Sequence, residues 1–263
     1  AGRVRRISRC AELLMCLYPF EPPFYDEEPI STVYVGHPLA DEIAPADGDA
    51  ANRLAAARSL GIDAQQQCIA LLPGSRMSEV RLMLTGFIGA CVLLAERHPN
   101  SVFVVPCINT DIEQYVVAAA AGYPNLALIT YLGDARRALT ACHGAIVKSG
   151  TGTLEAMLLH RPMVVSYRLG EITYQLLRRL VKTPYVALPN ILAGRALVPE
   201  LLQHAATPEA LADALEEELT RSAADQSYFA EFRRLHDALR LDADSRSAAA
   251  VLAFIEQHGS FSR

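Results

Sequence analysis

The sequence predicts an α/β protein built on a doubly wound parallel sheet, and three features support that prediction. From residue 68 onward, short apolar runs alternate with segments of helical apolar spacing. The runs are apolar on both faces, as expected where helices cover both sides of a parallel sheet. Two of the runs end in glycine-containing turns, residues 73–76 and 149–153, at strand ends where doubly wound sheets bind ligands.

The predicted elements follow in chain order. Residues 12–18 and 32–36 are apolar runs bounded by proline and glycine, which is typical of strands. Further strands are predicted at residues 68–72, 102–105, 126–130, 145–148 and 163–167. Helices are predicted between them at residues 77–97, 110–121, 134–142, 153–160 and about 171–182. Beyond residue 200 the pattern is entirely helical, at about 208–221, 226–240 and 244–257.

Composition and charge exclude some classes of protein. The chain has 263 residues, of which 51% are hydrophobic, and this is enough to bury a sizeable core in one or two domains. A net charge of −5 argues against a nucleic-acid-binding protein that relies on a broad basic surface. The six cysteines are scattered without a CxxC pair, which predicts buried free thiols and a reducing compartment.

No targeting or membrane-spanning segment is predicted. No apolar run approaches the roughly 18–20 residues that cross a bilayer. The N-terminal residues are basic, but no apolar stretch with a small-residue cleavage site follows them. The chain begins without methionine, in sequence typical of the middle of a domain, so we expect it to be a piece of a longer protein.

The turn after the strand predicted at residues 145–148 indicates phosphate binding. It reads Ser149-Gly150-Thr151-Gly152-Thr153. The turn leads directly into a predicted helix, whose first N–H groups have no partner within the helix. Because the helix dipole is also positive at this end, the turn suits a phosphorylated ligand.

A second turn, Pro73-Gly74-Ser75-Arg76, follows the strand predicted at residues 68–72. It lacks the lysine and the spacing of a P-loop, so nucleotide hydrolysis is not indicated. The guanidinium of Arg76 would suit a diphosphate because it donates two parallel hydrogen bonds. A turn that only starts a helix, with its arginine in solvent, is an equal alternative.

Three further polar residues are candidates for ligand binding. Glu155 lies in the first turn of the predicted helix after Thr153. It either compensates the helix dipole or accepts hydrogen bonds from both hydroxyls of a ribose. Asn190 and Arg195 lie in a polar loop, which either lines a ligand site or is a solvated helix-cap loop.

Neither a metal site nor a catalytic nucleophile is predicted. Asp47-Gly48-Asp49 matches the DxD signature of some sugar transferases, but it lies in an alanine-rich acidic segment rather than at a strand end. The histidines are separate in sequence, and no His, Cys and Asp cluster has metal-ligand spacing. A GxSxG nucleophile elbow is also missing from the sequence.

Several blocks of sequence resemble the lipid-A-disaccharide synthase family. They read LYPFEPPFY, VGHPLADEI, LLPGSRMSEV, SGTGTLEAMLLHRPMVVSYR and LVKTPYVALPNILAGRALVPELLQ, in the family's order, and together span most of residues 11–204. The resemblance implies a GT-B glycosyltransferase fold, in which two Rossmann-like domains face each other across a cleft. It implies a remnant of the N-terminal acceptor domain at residues 1–40, a linker at 41–50, a UDP-sugar-binding domain at 51–222, and helices at 223–263 that pack toward the N-terminal domain.

The resemblance also implies an activity in lipid A biosynthesis. Members of the family transfer 2,3-diacylglucosamine from its UDP derivative to 2,3-diacylglucosamine 1-phosphate with inversion, and they use no cofactor. They act on the cytoplasmic face of the inner membrane in Gram-negative bacteria. Whether the protein forms a homodimer is left open by the sequence. Residues 176–182 mix basic and apolar side chains and predict either a helix on the membrane surface or an ordinary amphipathic helix.

The same resemblance assigns roles to the candidate residues. Arg76 matches a residue near the UDP diphosphate, residues 149–153 match a helix start that faces phosphate, and Glu155 matches the position that contacts ribose. Asn190 and Arg195 match a loop at the cleft. Apart from the resemblance, a leaving diphosphate needs its growing charge neutralised, and Lys148 or Arg195 would supply a further cation. The general base is expected upstream of this chain, since nothing here matches the segment that opens the family's N-terminal domain.

Three functions stay open on the sequence alone. The first is a glycosyltransferase of which this chain is the donor-binding part. The second is a non-catalytic UDP-sugar-binding module, either truncated or one half of a split enzyme. The third is another GT-B enzyme, such as a UDP-sugar epimerase, against which the motifs shared with lipid-A-disaccharide synthases argue.

Overall fold

The computed structural model describes residues 2–170, 184–225 and 227–258. Its strands are β1 (Leu13–Cys16), β2 (Ser31–Tyr34), β3 (Gln67–Leu72), β4 (Ser101–Cys107), β5 (Leu128–Leu132), β6 (Gly144–Lys148), β7 (Met163–Tyr167) and β8 (Glu200–Leu202). Its α-helices are α1 (Gly2–Ser8), α2 (Pro38–Glu42), α3 (Ala50–Ser59), α4 (Met77–Arg97), α5 (Thr110–Ala120), α6 (Ala135–Ala141), α7 (Thr151–Leu158), α8 (Leu188–Ala193), α9 (Pro208–Ala224), α10 (Ala230–Leu239) and α11 (Ala243–His258). Single turns of 3₁₀ helix lie at Pro22–Tyr25, Pro45–Gly48 and Gln203–Ala205.

The described residues form two compact units. The larger unit runs from Pro45 to Phe232. The smaller unit joins the residues up to Ala44 with those from Arg233 onward. The smaller unit is therefore discontinuous in sequence, because the larger one is inserted into it.

The larger unit is built on a six-stranded sheet with the order β5-β4-β3-β6-β7-β8, and all of its strand pairs are parallel. The chain adds β4 and β5 on one side of β3 and then returns to place β6 on the other side. β3 is central, and its residues Cys68–Leu72 are buried. The α/β class and the parallel sheet predicted from the sequence are confirmed.

The elements predicted between residues 68 and 167 are all present, with bounds that shift by a few residues. The stretch beyond residue 200 was predicted to be entirely helical, and this was wrong at its start. β8 pairs with β7 there, and its three residues are too few to show the alternation that identifies a strand. The helix predicted at about 171–182, with the proposed membrane-facing residues 176–182, lies outside the described residues.

Helix α4 has the length and apolar composition to cross a membrane, although its sequence holds no uninterrupted apolar run of that length. Its buried residues are Val80, Met83, Leu84, Gly86, Phe87, Ile88, Ala90, Cys91 and Leu94. All of them except Gly86 belong to one hydrophobic core with strand residues such as Phe103 and with Leu211 and Leu215 of α9. This packing within the larger unit accounts for the apolar composition of α4, since a core helix is as apolar as a spanning one.

In the smaller unit, the C-terminal helices hold the first strands. β1 and β2 pair in parallel, from Leu13 opposite Ser31 onward. The carboxylate of Asp41 accepts the backbone N–H of Asp242 at 2.9 Å and that of Ala243 at 2.7 Å, and so it caps the start of α11. The hydroxyl of Tyr34 donates to the carbonyl of Ala238 at 2.7 Å.

The cysteines are free thiols in both units, as the sequence predicted. Cys10 is exposed, and the other five are buried: Cys16, Cys68, Cys91, Cys107 and Cys142. Burial raises the pKa of the Cys91 thiol well above its ordinary value, so this side chain acts as a small apolar core residue.

Candidate functional site

A cavity of about 400 Å³ opens at the carboxyl edge of the six-stranded sheet. It lies where the strand order reverses, beside β3 and β6, which is the place where doubly wound sheets bind ligands. Residues at the ends of four adjacent strands line it: Leu72, Gly74, Ser75, Glu79, Pro106, Ile108, Gly133, Asp134, Ala135, Val147, Lys148, Ser149, Gly150, Thr151, Gly152 and Glu155. The two glycine turns singled out in the sequence thus meet at one cavity.

The start of α7 forms one wall of this cavity. Gly150 precedes the helix with a φ of 152°, a backbone conformation that side-chain-bearing residues rarely adopt. A Cβ on Gly152 would lie 3.1 Å from Cδ2 of Leu72 and 3.4 Å from Cγ1 of Val147. The two glycines therefore let the first turn of α7 approach β3 and β6 closely, with the N–H groups of a helix start beside the cavity.

Two hydroxyls of the same turn are used inside the protein. Thr153 is fully buried, and its Oγ1 donates to the carbonyl of Gly150 at 2.7 Å. The hydroxyl of Ser149 donates to the carbonyl of Val186 at 2.7 Å. The structure therefore places the backbone of residues 149–152 at the cavity, whereas Thr153 lies behind the turn and stabilises it.

The turn after β3 forms the opposite wall. Gly74 has a φ of 129°, and a Cβ there would lie 2.7 Å from Cβ of Glu79, so the position needs glycine. Gly74 and Ser75 line the cavity, but Arg76 is not among the lining residues. The Arg76 side chain is 78% exposed, and its guanidinium lies 3.0 Å from Oε1 of Glu79.

Glu79 and Lys148, which both line the cavity, form an ion pair. The sequence analysis did not identify Glu79 as a site residue. Oε1 of Glu79 lies 3.2 Å from Nζ of Lys148, and these side chains are only 19% and 17% exposed. Nζ also lies 5.3 Å from the centre of the Tyr167 ring, within the range of a cation–π contact. The sequence analysis named Lys148 as one of two alternative cations; Lys148 is one of only two lysines in the sequence, and this rarity was a signal that favoured it.

The carboxylate of Glu79 is held in its charged form. Burial alone would raise the pKa of Glu79, but the hydrogen bond and the positive charge of Lys148, with backbone hydrogen bonds from Ser75 and Arg76, together outweigh it. The backbone N–H of Ser75 adds a bond to Oε2 at 3.3 Å. Together these donors hold the pKa of Glu79 below its ordinary value.

Of the remaining candidate residues, Glu155 lies at the cavity, whereas Asn190 and Arg195 lie away from it. Glu155, in the first turns of α7, lines the cavity together with Thr151. Asn190 is 1% exposed. Its side chain donates to Val198 O at 2.9 Å and to Glu200 at 2.8 Å and accepts the N–H of Leu197.

Asn190 lies in α8 and not in the predicted loop, and its side chain ties that helix to residues 197–200 instead of facing the cavity. Arg195 is exposed and follows Gly194, which ends α8 in the left-handed conformation. Neither residue lines the cavity. Their side chains thus give no support to direct ligand contact within the larger unit, although the carbonyl of Val186, just before α8, accepts the hydroxyl of Ser149 at the cavity.

Among the described residues, no group of three or more His, Cys, Asp or Glu side chains could hold a metal ion. Asp49 of the Asp47-Gly48-Asp49 segment precedes α3 as its N-cap. The Gly48 position packs tightly, since a Cβ there would lie 2.3 Å from the carbonyl oxygen of Leu159. This segment is therefore part of the helix start and lies away from the carboxyl edge of the sheet.

The fold and the cavity define the class of protein. The chain superposes on the crystal structure of WaaG, a glycosyltransferase involved in lipopolysaccharide biosynthesis, with a TM-score of 0.54 at 15% identity over 90% of this chain and 62% of that one. It superposes on a glycosyltransferase from Rickettsia africae with a TM-score of 0.62 at 10% identity over 98% and 67%. These likenesses show the GT-B fold.

Sequence comparison then identifies the family. The family model of lipid-A-disaccharide synthetase matches residues 1–254. A lipid-A-disaccharide synthase of Burkholderia vietnamiensis is 44% identical over 97% of this chain and 65% of its own length. One of Pseudomonas aeruginosa is 42% identical over 97% and 66%. The chain belongs to the lipid-A-disaccharide synthetase family, and it spans about 65% of the length of these relatives.

Proposed function

We propose that this chain is the donor-binding part of a lipid-A-disaccharide synthase. Its cavity would bind the UDP moiety of UDP-2,3-diacylglucosamine. The sugar would pass to 2,3-diacylglucosamine 1-phosphate with inversion and give lipid A disaccharide 1-phosphate and UDP. Membership of the family supports this proposal, and so does the position of the cavity at the switch point of the sheet.

The observation that carries the proposal is the pairing of a helix start with a cation in one cavity. The first turn of α7 and Lys148 both line it. A departing diphosphate gains negative charge, and prearranged N–H groups, a helix dipole and a lysine would stabilise that charge without a metal ion. The loss of one such donor typically costs about 10²–10³ in rate.

The nucleoside would lie beside the diphosphate along the same edge. Glu155 lines the cavity one turn into α7, and we assign its carboxylate to the hydroxyls of the ribose. Arg76 does not line the cavity, and 78% of its side chain is exposed, so any contribution that it makes to phosphate binding is screened by solvent. Attack by the acceptor hydroxyl needs a general base, which we place outside this chain.

The test is calorimetric titration of the chain with UDP and with uridine. Lys148→Met should weaken UDP binding by about 10- to 100-fold, because a charge-assisted hydrogen bond contributes roughly 1.5–3 kcal/mol. It should leave uridine binding unchanged, since uridine carries no phosphate. Glu155→Gln should weaken both ligands, because both contain the ribose.

The matched control is Glu96→Gln, an exposed carboxylate near the far end of α4. It should bind both ligands like the unchanged protein. Arg76→Ala should weaken UDP binding less than Lys148→Met does. Equal UDP affinity in the unchanged protein and in the Lys148 and Glu155 variants would remove the site assignment.

A second candidate function follows from the share of its relatives' length that this chain covers. The chain spans about 65% of the relatives that it matches, so a UDP-sugar-binding module, or one half of a split enzyme, is the alternative. Addition of the remaining third of a relative in trans distinguishes them. Sugar transfer restored by this addition would favour a split enzyme, and binding without transfer would favour a module.

The substrates of the proposed reaction are lipids, so the proposal includes peripheral attachment to the cytoplasmic face of the inner membrane. The residues expected to make that contact, 176–182, lie outside the described part of the chain. A negatively charged membrane surface attracts nearby Lys and Arg residues by about 1 kcal/mol each. Membrane attachment therefore rests on the chemistry of the substrates and not on a described surface.

A further inference from the structure

The carboxylate of Glu79 accepts hydrogen bonds from three groups beside the cavity. Its Oε1 is shared between Arg76 Nη1 at 3.0 Å and Lys148 Nζ at 3.2 Å. Its Oε2 accepts the backbone N–H of Ser75 at 3.3 Å. An exposed arginine beside the cavity, a lysine that lines it and a loop N–H are donors of the kind that bind phosphate groups in proteins.

We propose that Glu79 is a built-in competitor for the diphosphate of the ligand. In the empty site, its carboxylate satisfies the donors that a phosphate group would otherwise use. When the diphosphate enters, it takes Lys148 and Arg76 away from Glu79, and the carboxylate must turn aside. When the diphosphate leaves, Glu79 takes both cations back.

Charge and burial support this role. The Glu79 and Lys148 side chains are mostly buried, where an unpaired charge is expensive. A lysine without a counter-ion in the empty site would therefore destabilise the protein or attract any small anion. The carboxylate neutralises it without a bound ion, and a ligand must offer more negative charge than one carboxylate to displace it.

The competition has a consequence for specificity. A single phosphate gains little when it replaces a carboxylate that already has good geometry. A diphosphate carries more charge and can bind both Lys148 and the start of α7, so it displaces Glu79 more readily. The same exchange would help a diphosphate product to leave, because the carboxylate is ready to replace it.

The test measures binding of inorganic pyrophosphate and of UDP to Glu79→Gln and Glu79→Ala by calorimetry. Both variants remove the competing charge, so both should bind pyrophosphate more tightly, by about tenfold for Glu79→Gln, since hydrogen bonds to charged groups are roughly twice as strong as neutral ones. Binding of orthophosphate should tighten as well. Uridine binding should not change.

These outcomes separate competition from a structural role. If Glu79 only holds its turn in shape, both variants would bind pyrophosphate more weakly or equally, and the inference would be wrong. Glu96→Gln removes the same charge from the exposed end of α4 and should leave pyrophosphate binding unchanged. Thermal unfolding of each variant shows that it is folded during the titration.

A double substitution tests whether Lys148 is a cation for which Glu79 and pyrophosphate compete. In a Lys148→Met background, Glu79→Gln should tighten pyrophosphate binding less than it does in the unchanged protein, because one of the two cations that it frees is already gone. An equally large gain in both backgrounds would show that Lys148 takes no part in the competition. That result would contradict the mechanism proposed here.

The UDP arm of the test rests on the proposed function, and the pyrophosphate arm does not. If no variant binds UDP but the Glu79 variants bind pyrophosphate more tightly, the competition stands and the nucleotide assignment fails. If the unchanged protein binds UDP and the Glu79 variants bind pyrophosphate no better, the inference fails and the proposed function stands. Failure to bind either ligand would overturn both.

Discussion

His143 illustrates how one buried side chain sets the response of this protein to acid. It lies between α6 and β6, at the edge of the sheet opposite the cavity, and its Nδ1 accepts the backbone N–H of Cys68 at 3.1 Å. Burial, and then the positive charge of Arg53, lower the pKa of His143 to about 4. The folded protein therefore keeps this imidazole neutral at a pH where an unfolded chain would protonate it.

The sign of the effect on stability follows from this shift. Between the ordinary histidine pKa of 6.5 and the folded value of about 4, the unfolded chain binds a proton that the folded protein does not. The free energy of unfolding should thus fall as pH drops through this window. We expect a loss on the order of 2 kcal/mol, once solvent screening at the partly exposed ring is allowed for.

Urea unfolding between pH 4 and 7.5 tests this expectation. His143→Gln keeps an acceptor for Cys68 but cannot be protonated, so its stability should depend less steeply on pH below about 6.5. His204→Gln, at an exposed histidine, is the control substitution. Parallel curves for the unchanged protein and His143→Gln would show that another group causes the acid sensitivity.

Individual residues also show where sequence reasoning reaches its limit. Glu79 and Lys148 are 69 positions apart, and only the pairing of β3 with β6 and the register of α4 bring them together. Asn190 is polar and follows a proline, so its sequence context is the same whether its side chain binds a ligand or a neighbouring backbone. Local sequence does not contain the information that separates these cases.

At the level of single elements, local sequence patterns were sufficient to predict the strands and turns around the cavity. β3 and β6 are continuous apolar runs because helices cover both faces of the sheet. The glycines at 74, 150 and 152 mark places where the backbone conformation or a close approach excludes a Cβ. The sequence did not predict β8, because its strand conformation depends on pairing with β7 and not on its own three residues.

The turn between β3 and α4 gives a prediction for one element. Gly74→Ala should destabilise the protein by about 2–3 kcal/mol, because strain at a positive φ adds to a steric clash. The added Cβ would lie 2.7 Å from Cβ of Glu79. Urea unfolding measures the loss.

Gly61→Ala is the matched control for this substitution. Gly61 also has a positive φ, of 75°, but a Cβ there would meet no atom within 4 Å. It should therefore cost only about 1 kcal/mol, from backbone strain alone. Equal losses in the two variants would mean that the clash with Glu79 is relieved without cost.

At the scale of the whole molecule, the sequence patterns predicted the class of fold, whereas the expected division at residues 40, 50 and 222 came from the family resemblance alone. Motif order indicated which segments belong to the nucleotide-binding sheet. The boundaries at Ala44 and at Phe232 depend on contacts between distant segments, such as Asp41 with the start of α11. Contacts of this kind leave no periodic signal in either segment.

The discontinuous smaller unit leads to the last prediction. Two paired strands alone are marginally stable in water, and α10 and α11 supply hydrogen bonds and packing to β1, β2 and α2. Removal of residues 243–263 should therefore lower the amide-exchange protection of β1 and β2, by about tenfold or more.

The larger unit retains its own core after this truncation, so β3 and β6 should keep their protection, and UDP affinity should stay within about twofold of the full chain. Hydrogen exchange followed by mass spectrometry resolves the two sets of strands. A chain ending at residue 258 is the control, since it keeps all of α11. Loss of protection in β3 and β6 as well would show that the two units unfold together, because their stabilities would then be coupled rather than separate.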